Sequence, residues 1–223
     1  MEIIMITYET IRDNEIVNNY INMGNEVLGV MGYTEHSVAH AGKVANTAAD
    51  ILEILGYSQR EKELAKIAGY MHDIGNSVNR VDHAQSGALM AFKILSDMNM
   101  DPKEIAMIIA AIGNHDEKTG TAVSPVSAAV IIADKTDVRR NRVRNRHQNS
   151  FDIHDRVNYA AVASKLTVNA KDKTIQLDIE LDDEICSVMD YFEIFLERML
   201  MCRRAAELLG CSFKMRANGN KIL

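Results

Sequence analysis

The stretch 64-LAKIAGYMHDIGN-76 reads as the end of an amphipathic helix that closes on a His-Asp pair and is stopped at Gly75. Upstream, Ser58 followed by Glu61 is a capping-box signature, so the predicted helix covers residues 62–73. A His-Asp pair at a helix end suits a metal clamp, an acid/base pair, or a buried hydrogen bond without chemistry. What the rest of the chain supplies decides among them.

Outward from this stretch the helical pattern continues in both directions. Residues 36–55 carry apolar side chains at three- and four-residue spacing and end at Gly56. Asp101-Pro102 with Glu104, and Ser124-Pro125, open two more predicted helices, over 105–115 and 126–140. Both prolines of the chain thus stand at helix starts. After about residue 160 the texture changes: 165-KLTVNAKDKTIQLDIEL-181 alternates apolar and polar residues around the turn 170–173, a hairpin signal. A long helical run over 184–209 follows, stopped by Gly210, and the tail 212–223 is suited to a strand. The expectation is a mainly α protein. Residues 1–160 form a helical bundle domain, and residues 161–223 a small α+β subdomain of hairpin, long helix and final strand.

The 223 residues are 47% hydrophobic and 25% charged, the balance of a folded chain able to bury a core. Net charge is -6, which argues against nucleic acid as the main partner. Cys186, Cys202 and Cys211 form no C-x-x-C and lie far from the histidines, so they read as reduced thiols. The start of the chain lacks the basic and apolar regions of a signal peptide, and no apolar run approaches a membrane span. A cytoplasmic protein without membrane attachment is expected. The apolar face of 184–209 is suited to a subdomain core or to the contact of a homodimer.

Five of the seven histidines fall in the helical part: His36 and His40 four apart, His72 before Asp73, His83 near a helix start, and His115 at a helix end. Asp134 stands late in the helix that follows. A single histidine is more often a packed, hydrogen-bonded residue than a ligand. Together, neutral imidazoles and two carboxylates from several helices suit a borderline divalent ion such as Fe, Mn, Co or Zn. Six ligands, with Asp73 able to bridge, are enough for two ions, which would activate a water and neutralise phosphate oxygens under attack. That is phosphoester hydrolysis. The arginines of 137-DVRRNRVRNRH-147 (Arg139, Arg140, Arg142, Arg144 and Arg146) are suited to an anionic substrate or equally to a solvated helix face or subunit contact, and those beyond Arg139 as well to pairing with acidic residues of the C-terminal subdomain. Lys135 and Arg139 are favoured as substrate contacts, since they are expected on the helix of Asp134 within about a turn of it. The loop 113–125 is placed to cover the centre, with Asp116 and Glu117 suited to a general acid for the leaving group or equally to solvated positions.

The ordered set of His40 four residues before Val44-Ala45, 72-HD-73, 83-HAQSG-87, 114-NHD-116 and 133-ADK-135 resembles the HD-domain superfamily of metal-dependent phosphohydrolases, over roughly residues 34–146. The resemblance implies a helical bundle whose metal ligands are His40, His72, Asp73 and Asp134. It favours His40 over His36, because the family's first histidine precedes a Val-Ala pair by four. His36 then faces substrate or a neighbouring carboxylate. The additional His83 and His115 resemble the binuclear branch that includes the HD-GYP phosphodiesterases, so two divalent ions are implied. Asn76 stands where those enzymes carry lysine, Asn114 replaces one of their paired histidines, and the GYP motif is absent, so cyclic-di-GMP cleavage is disfavoured. The resulting expectation is a phosphohydrolase of a small phosphorylated molecule, a nucleotide first, with Asp73, His36 and Lys135 as catalytic groups and His36, Lys135 and Arg139 meeting substrate. The competing expectation is a catalytically silent HD-fold sensor of nucleotide or metal.

Overall fold

The computed structural model describes residues 4–144 and 153–222. Among them the chain runs α1 (Tyr8–Arg12), α2 (Glu15–Val30), α3 (Val38–Ile54), α4 (Gln59–Met71), a 3-10 turn (Ile74–Ser77), α5 (His83–Asp97), α6 (Pro102–Gly113), α7 (Pro125–Lys135), a second 3-10 turn (Arg140–Arg142) and α8 (Ile153–Ala160). β1 (Ala161–Asn169), β2 (Thr174–Leu181), α9 (Val188–Leu208), β3 (Ser212–Ala217) and β4 (Asn220–Lys221) complete it. The architecture is therefore mainly α, a helical bundle with a small four-stranded sheet near the C-terminal end. No helix among the described residues is long and apolar enough to cross a membrane.

The helix starts follow their capping chemistry. Ser58 accepts from the Glu61 backbone N–H while Glu61 returns a bond to the Ser58 N–H, the reciprocal pair that the sequence announces. Asp101 and Ser124 cap α6 and α7, each with proline at the first helical position, where a missing N–H costs nothing. Gly56 and Gly210 follow their helices at φ +83° and +71°, the left-handed turn that a side chain disfavours.

Packing explains the small residues of the motifs. α3 and α4 cross at Ala45 and Gly69, where a Cβ on Gly69 would lie 3.0 Å from the Ala45 Cα. The Val44-Ala45 pair is thus the place where α3 seats on α4. A Cβ on Gly75 would fall 2.0 Å from the His83 carbonyl oxygen and 2.5 Å from the Gly87 nitrogen. The glycines of 72-HDIG-75 and 83-HAQSG-87 meet back to back, and their contact carries the start of α5 onto the end of α4. α7, nearly all buried, lies across α3, α4 and α6.

In the sheet, β1 and β2 form the expected hairpin, β2 and β3 pair in parallel through α9, and β4 folds back on β3. Its buried face presents Ile175, Leu177 and Ile179 beside Phe213, Met215 and Ala217, the alternation of a sheet with one face covered. α9 covers that face and packs against α7. One apolar cluster runs from Ile6 to Met215.

Three boundaries differ from the sequence expectation. α3 begins at Val38 under a Ser37 cap, so His36 precedes the helix rather than sharing it with His40. α7 stops at Lys135 rather than 140, because Thr136 caps it with its hydroxyl on the Ile132 carbonyl and the chain then turns. The first strand begins at Ala161, four residues earlier than its alternation shows, since Val162 and Ala163 are both exposed.

Candidate metal centre

Each candidate ligand is delivered by the end of a different element. His40 stands on the first turn of α3, His72 is the residue that caps α4, and Asp73 follows it. His83 opens α5, His115 lies just past α6, and Asp134 is on the last turn of α7. His40, His72, His83 and His115 are buried.

The five imidazoles share one arrangement. The Nδ1 atoms of His72, His115, His83 and His36 bond backbone carbonyls of Gly69 (2.7 Å), Ile112 (2.6 Å), Arg80 (3.0 Å) and Thr34 (2.7 Å). His40 Nδ1 instead meets the Asp137 carboxylate at 2.8 Å. Each Nδ1–H donates to an acceptor, which fixes the ring and leaves the Nε2 lone pair directed inward. Asp73 receives them on both oxygens. Its Oδ2 lies 3.0 Å from His72 Nε2, 3.8 Å from His40 Nε2 and 4.0 Å from His36 Nε2. Its Oδ1 lies 3.5 Å from His83 Nε2 and 3.6 Å from His115 Nε2. Asp134 Oδ1 adds contacts of 3.4 Å to His40 Nε2 and 3.7 Å to His72 Nε2.

This arrangement fits a divalent ion. The Nε2 atoms of His40 and His72 are buried without a hydrogen-bond partner, a cost that a ligated cation would remove. Two sets, His40 with His72 and Asp134, and His72 with Asp73 and His115, each place all their donor atoms within 4.8 Å of one another. A void of about 20 Å³ lies against His36, Asp73, His83, His115 and Asp134, enough for a water-sized sphere.

Protonation follows from the same contacts. Burial would raise Asp73, but the imidazoles of His72, His115 and His36 that face it hold it well below the usual carboxylate range. For Asp134, burial is outweighed by the Lys135 ammonium and by the imidazoles of His40 and His72 that face it. Burial pulls His36 well below its ordinary value, and burial with the charge of His115 brings His83 down to about 4. At neutral pH these two rings offer lone pairs to a site whose carboxylates are ionised. His72 goes the other way: the Asp73 carboxylate overcomes its burial and raises it.

Around the ligands the structure supplies groups that sequence reasoning passed over. Asp137, three residues after Asp134 in 134-DKTD-137, holds His40 and is itself held by Lys43 (2.8 Å), Arg139 (2.7 Å) and Arg142 (3.6 Å). These contacts keep it ionised, far below its ordinary value despite burial. Arg139 therefore points at Asp137 and does not sit on the helix of Asp134, contrary to the expected geometry. Lys135 is buried between Asp134 and Glu117, at 2.8 Å from each. Glu117 also meets Arg198 of α9 at 3.3 Å, and these cations hold it ionised, so it has no proton to donate at neutral pH. Nothing in the sequence marks Arg198, because only the packing of α9 on α7 carries it here. Arg140 reaches Asp182, the acidic pairing expected for the later arginines, whereas Arg146 lies outside the described residues. A cleft of about 300 Å³ opens beside the histidines, between Tyr33, Thr34, His36, Arg80, Asp116 and Arg198.

Residues 37–141 match the HD domain family. The match begins directly after His36 and takes in His40, His72, Asp73, His83, His115 and Asp134. An uncharacterized protein of Methanocaldococcus jannaschii, MJ1020, is 30% identical over 201 residues, which span 79% of this chain and 76% of that protein. A crystal structure of a predicted HD superfamily hydrolase from an uncultured Thermotogales bacterium is 27% identical, with a TM-score of 0.42 over 54% of this chain and 67% of the other. The matched domain holds the convergent His/Asp cluster, and the likeness to the archaeal protein extends over most of both chains; the chain belongs to the HD-domain superfamily.

Proposed function

We propose that the protein is a metal-dependent phosphohydrolase that uses two divalent ions to cleave a phosphoester or phosphoanhydride of a small molecule, a nucleotide first among the candidates. The observation that carries this reading is the division of the histidines between the two oxygens of Asp73, with every Nδ1 tied back and every Nε2 turned in. His40, His72 and Asp134 would hold one ion, and His83 and His115 a second, with Asp73 between them. Bound divalent ions supply Lewis acidity that lowers the pKa of water and neutralises phosphoryl oxygens.

The protein's own groups do the rest. Asp137 fixes the His40 ring by accepting a hydrogen bond from its Nδ1–H. Lys135, engaged with Asp134 and Glu117, serves by orienting Asp134. His36 lines both the small void and the open cleft, so its neutral Nε2 can accept a hydrogen bond from the attacking water or from a substrate hydroxyl. In the net reaction the water oxygen bonds to phosphorus, the ester oxygen leaves, and the proton released by water ends on the leaving group or solvent.

The deciding experiment is metal content per chain by elemental analysis, with hydrolysis of p-nitrophenyl phosphate assayed on the same samples, for the native chain and Asp73→Ala. Close to two transition-metal ions per native chain, lost in the variant together with turnover, is the expected result. Full activity in Asp73→Ala sinks the reading. Metal without turnover on any phosphoester favours the sensor.

A further inference from the structure

Arg80 lies between the 3-10 turn Ile74–Ser77 and α5, at the junction of the histidine cluster and the open cleft. Its guanidinium is held by uncharged groups: Nη1 is 3.3 Å from Asn76 Oδ1 and 3.3 Å from His83 Nε2, and Cζ stands 5.5 Å from the centre of the Tyr33 ring. The other cations deeper in the site are neutralised. Lys135 meets Asp134 and Glu117, Arg142 meets Asp137, and Arg198 meets Glu117. Among the described residues no carboxylate pairs with Arg80, although it is half-buried. A half-buried guanidinium without a carboxylate partner, backed by an aromatic face and an amide oxygen, is a receptor for an anion.

Its position specifies which anion. Arg80 rests on the His83 lone pair that also faces the metal cluster, so a cation ligated there and the guanidinium repel each other unless an anionic oxygen lies between them. A phosphoryl group supplies such oxygens, with two for the planar fork of Arg80. Besides Arg80 and the paired Arg198 and Glu117, the same cleft is lined by Asp82, Asp116 and Asp155 against, among the described residues, the single further cation Lys118. A second or third phosphate extending there would face carboxylates, whereas a neutral or hydroxyl-bearing leaving group would not. The volume of about 300 Å³ sets a similar limit.

We propose that Arg80 binds the phosphoryl group to be cleaved, and that the cleft thereby selects small phosphomonoesters over polyphosphates. This rests on the phosphohydrolase reading above. The experiment compares metal-loaded wild type, Arg80→Ala and Arg80→Lys by calorimetric titration with inorganic phosphate, with elemental analysis of each sample, and by kinetics on p-nitrophenyl phosphate and ATP. Expected are an unchanged metal content, phosphate binding weakened by about tenfold or more in Arg80→Ala, and a partial recovery in Arg80→Lys. The wild type should show the higher kcat/KM for p-nitrophenyl phosphate, and Arg80→Ala should raise its KM.

Equal phosphate binding and KM in wild type and Arg80→Ala overturns the role of Arg80 while leaving the hydrolase reading intact. Metal lost from Arg80→Ala in step with phosphate binding makes the residue structural and also overturns it. A preference for ATP overturns the charge limit. A wild type that neither binds phosphate nor cleaves either compound removes the hydrolase reading, and this inference with it.

Discussion

His36 and His40 show how closely neighbouring histidines can differ. Both direct Nε2 at Asp73, with ring centres 5.5 Å apart, but His40 sits inside α3 with its Nδ1 on a buried carboxylate, while His36 precedes the helix and borders the cleft. His40→Ala is expected to lose metal, and His36→Ala to keep most of it and slow turnover, as read by elemental analysis beside kcat. Equal metal loss in both variants would make His36 a ligand. Asp137 acts through His40. Asp137→Asn should weaken metal binding by about ten- to a hundredfold, measured by titration against a competing chelator, with the helical circular dichroism preserved. The sequence, through its resemblance, names Asp134 as the ligand but gives Asp137 of 134-DKTD-137 no role beside His40. That role follows from where α7 stops.

At the scale of elements, the centre depends on helix ends being brought together, and Gly75 is the tightest point of that assembly. A methyl group there would overlap the His83 carbonyl, which is backbone and cannot rotate away. Gly75→Ala should therefore force α5 off the end of α4 and cost about 3 kcal/mol or more, seen as a lower urea midpoint, with the placement of His83 lost as well. A variant as stable as the native chain would show that the two elements can separate without penalty. Caps and glycines made most helices legible in the sequence, because those signals act within a few residues. The end of α7 was not legible, since residues 136–140 keep a helical composition, and beyond the Thr136 cap it is the distant contacts of Asp137 with His40 and Lys43 and of Arg142 with Glu35 that draw them away.

Across the whole molecule, α9 joins the sheet to the helical bundle, burying Tyr191, Phe195, Met199 and Cys202 and carrying Arg198 to Glu117. Burial pushes the Cys202 thiol up from 9.0 to about 12. The sign is that of an acid whose neutral form is favoured by folding. Its contribution is fully present below pH 9, where both states hold the proton, and is lost progressively as pH rises toward 12, where only the folded chain still holds it. Burial raises Tyr70 from 10.0 to about 12 and Tyr191 further, so both act in the same direction. Urea midpoints should therefore fall from pH 8 to pH 10, by about 1 kcal/mol from Cys202 alone. A flat profile would mean that this thiol ionises in the folded protein. Free Cys186, Cys202 and Cys211 are all buried, so a thiol reagent should label them only after unfolding.

By itself the sequence determined the helical class, the hairpin and final strand, the family, and the set of histidines and aspartates that meet. These rest on short-range chemistry: caps, left-handed glycines, periodicity, and residue types with little other reason to recur at helix ends. Only the tertiary structure decided that Asp73 faces histidines on both oxygens, that Asp137 supports His40, that Lys135 and Arg139 are occupied by carboxylates, and that Arg80 and Arg198 reach the cleft. The physical reason is range. A cap is a bond between residues three apart, whereas the pairing of a charge depends on which distant helix packs beside it, and that is settled by the core as a whole.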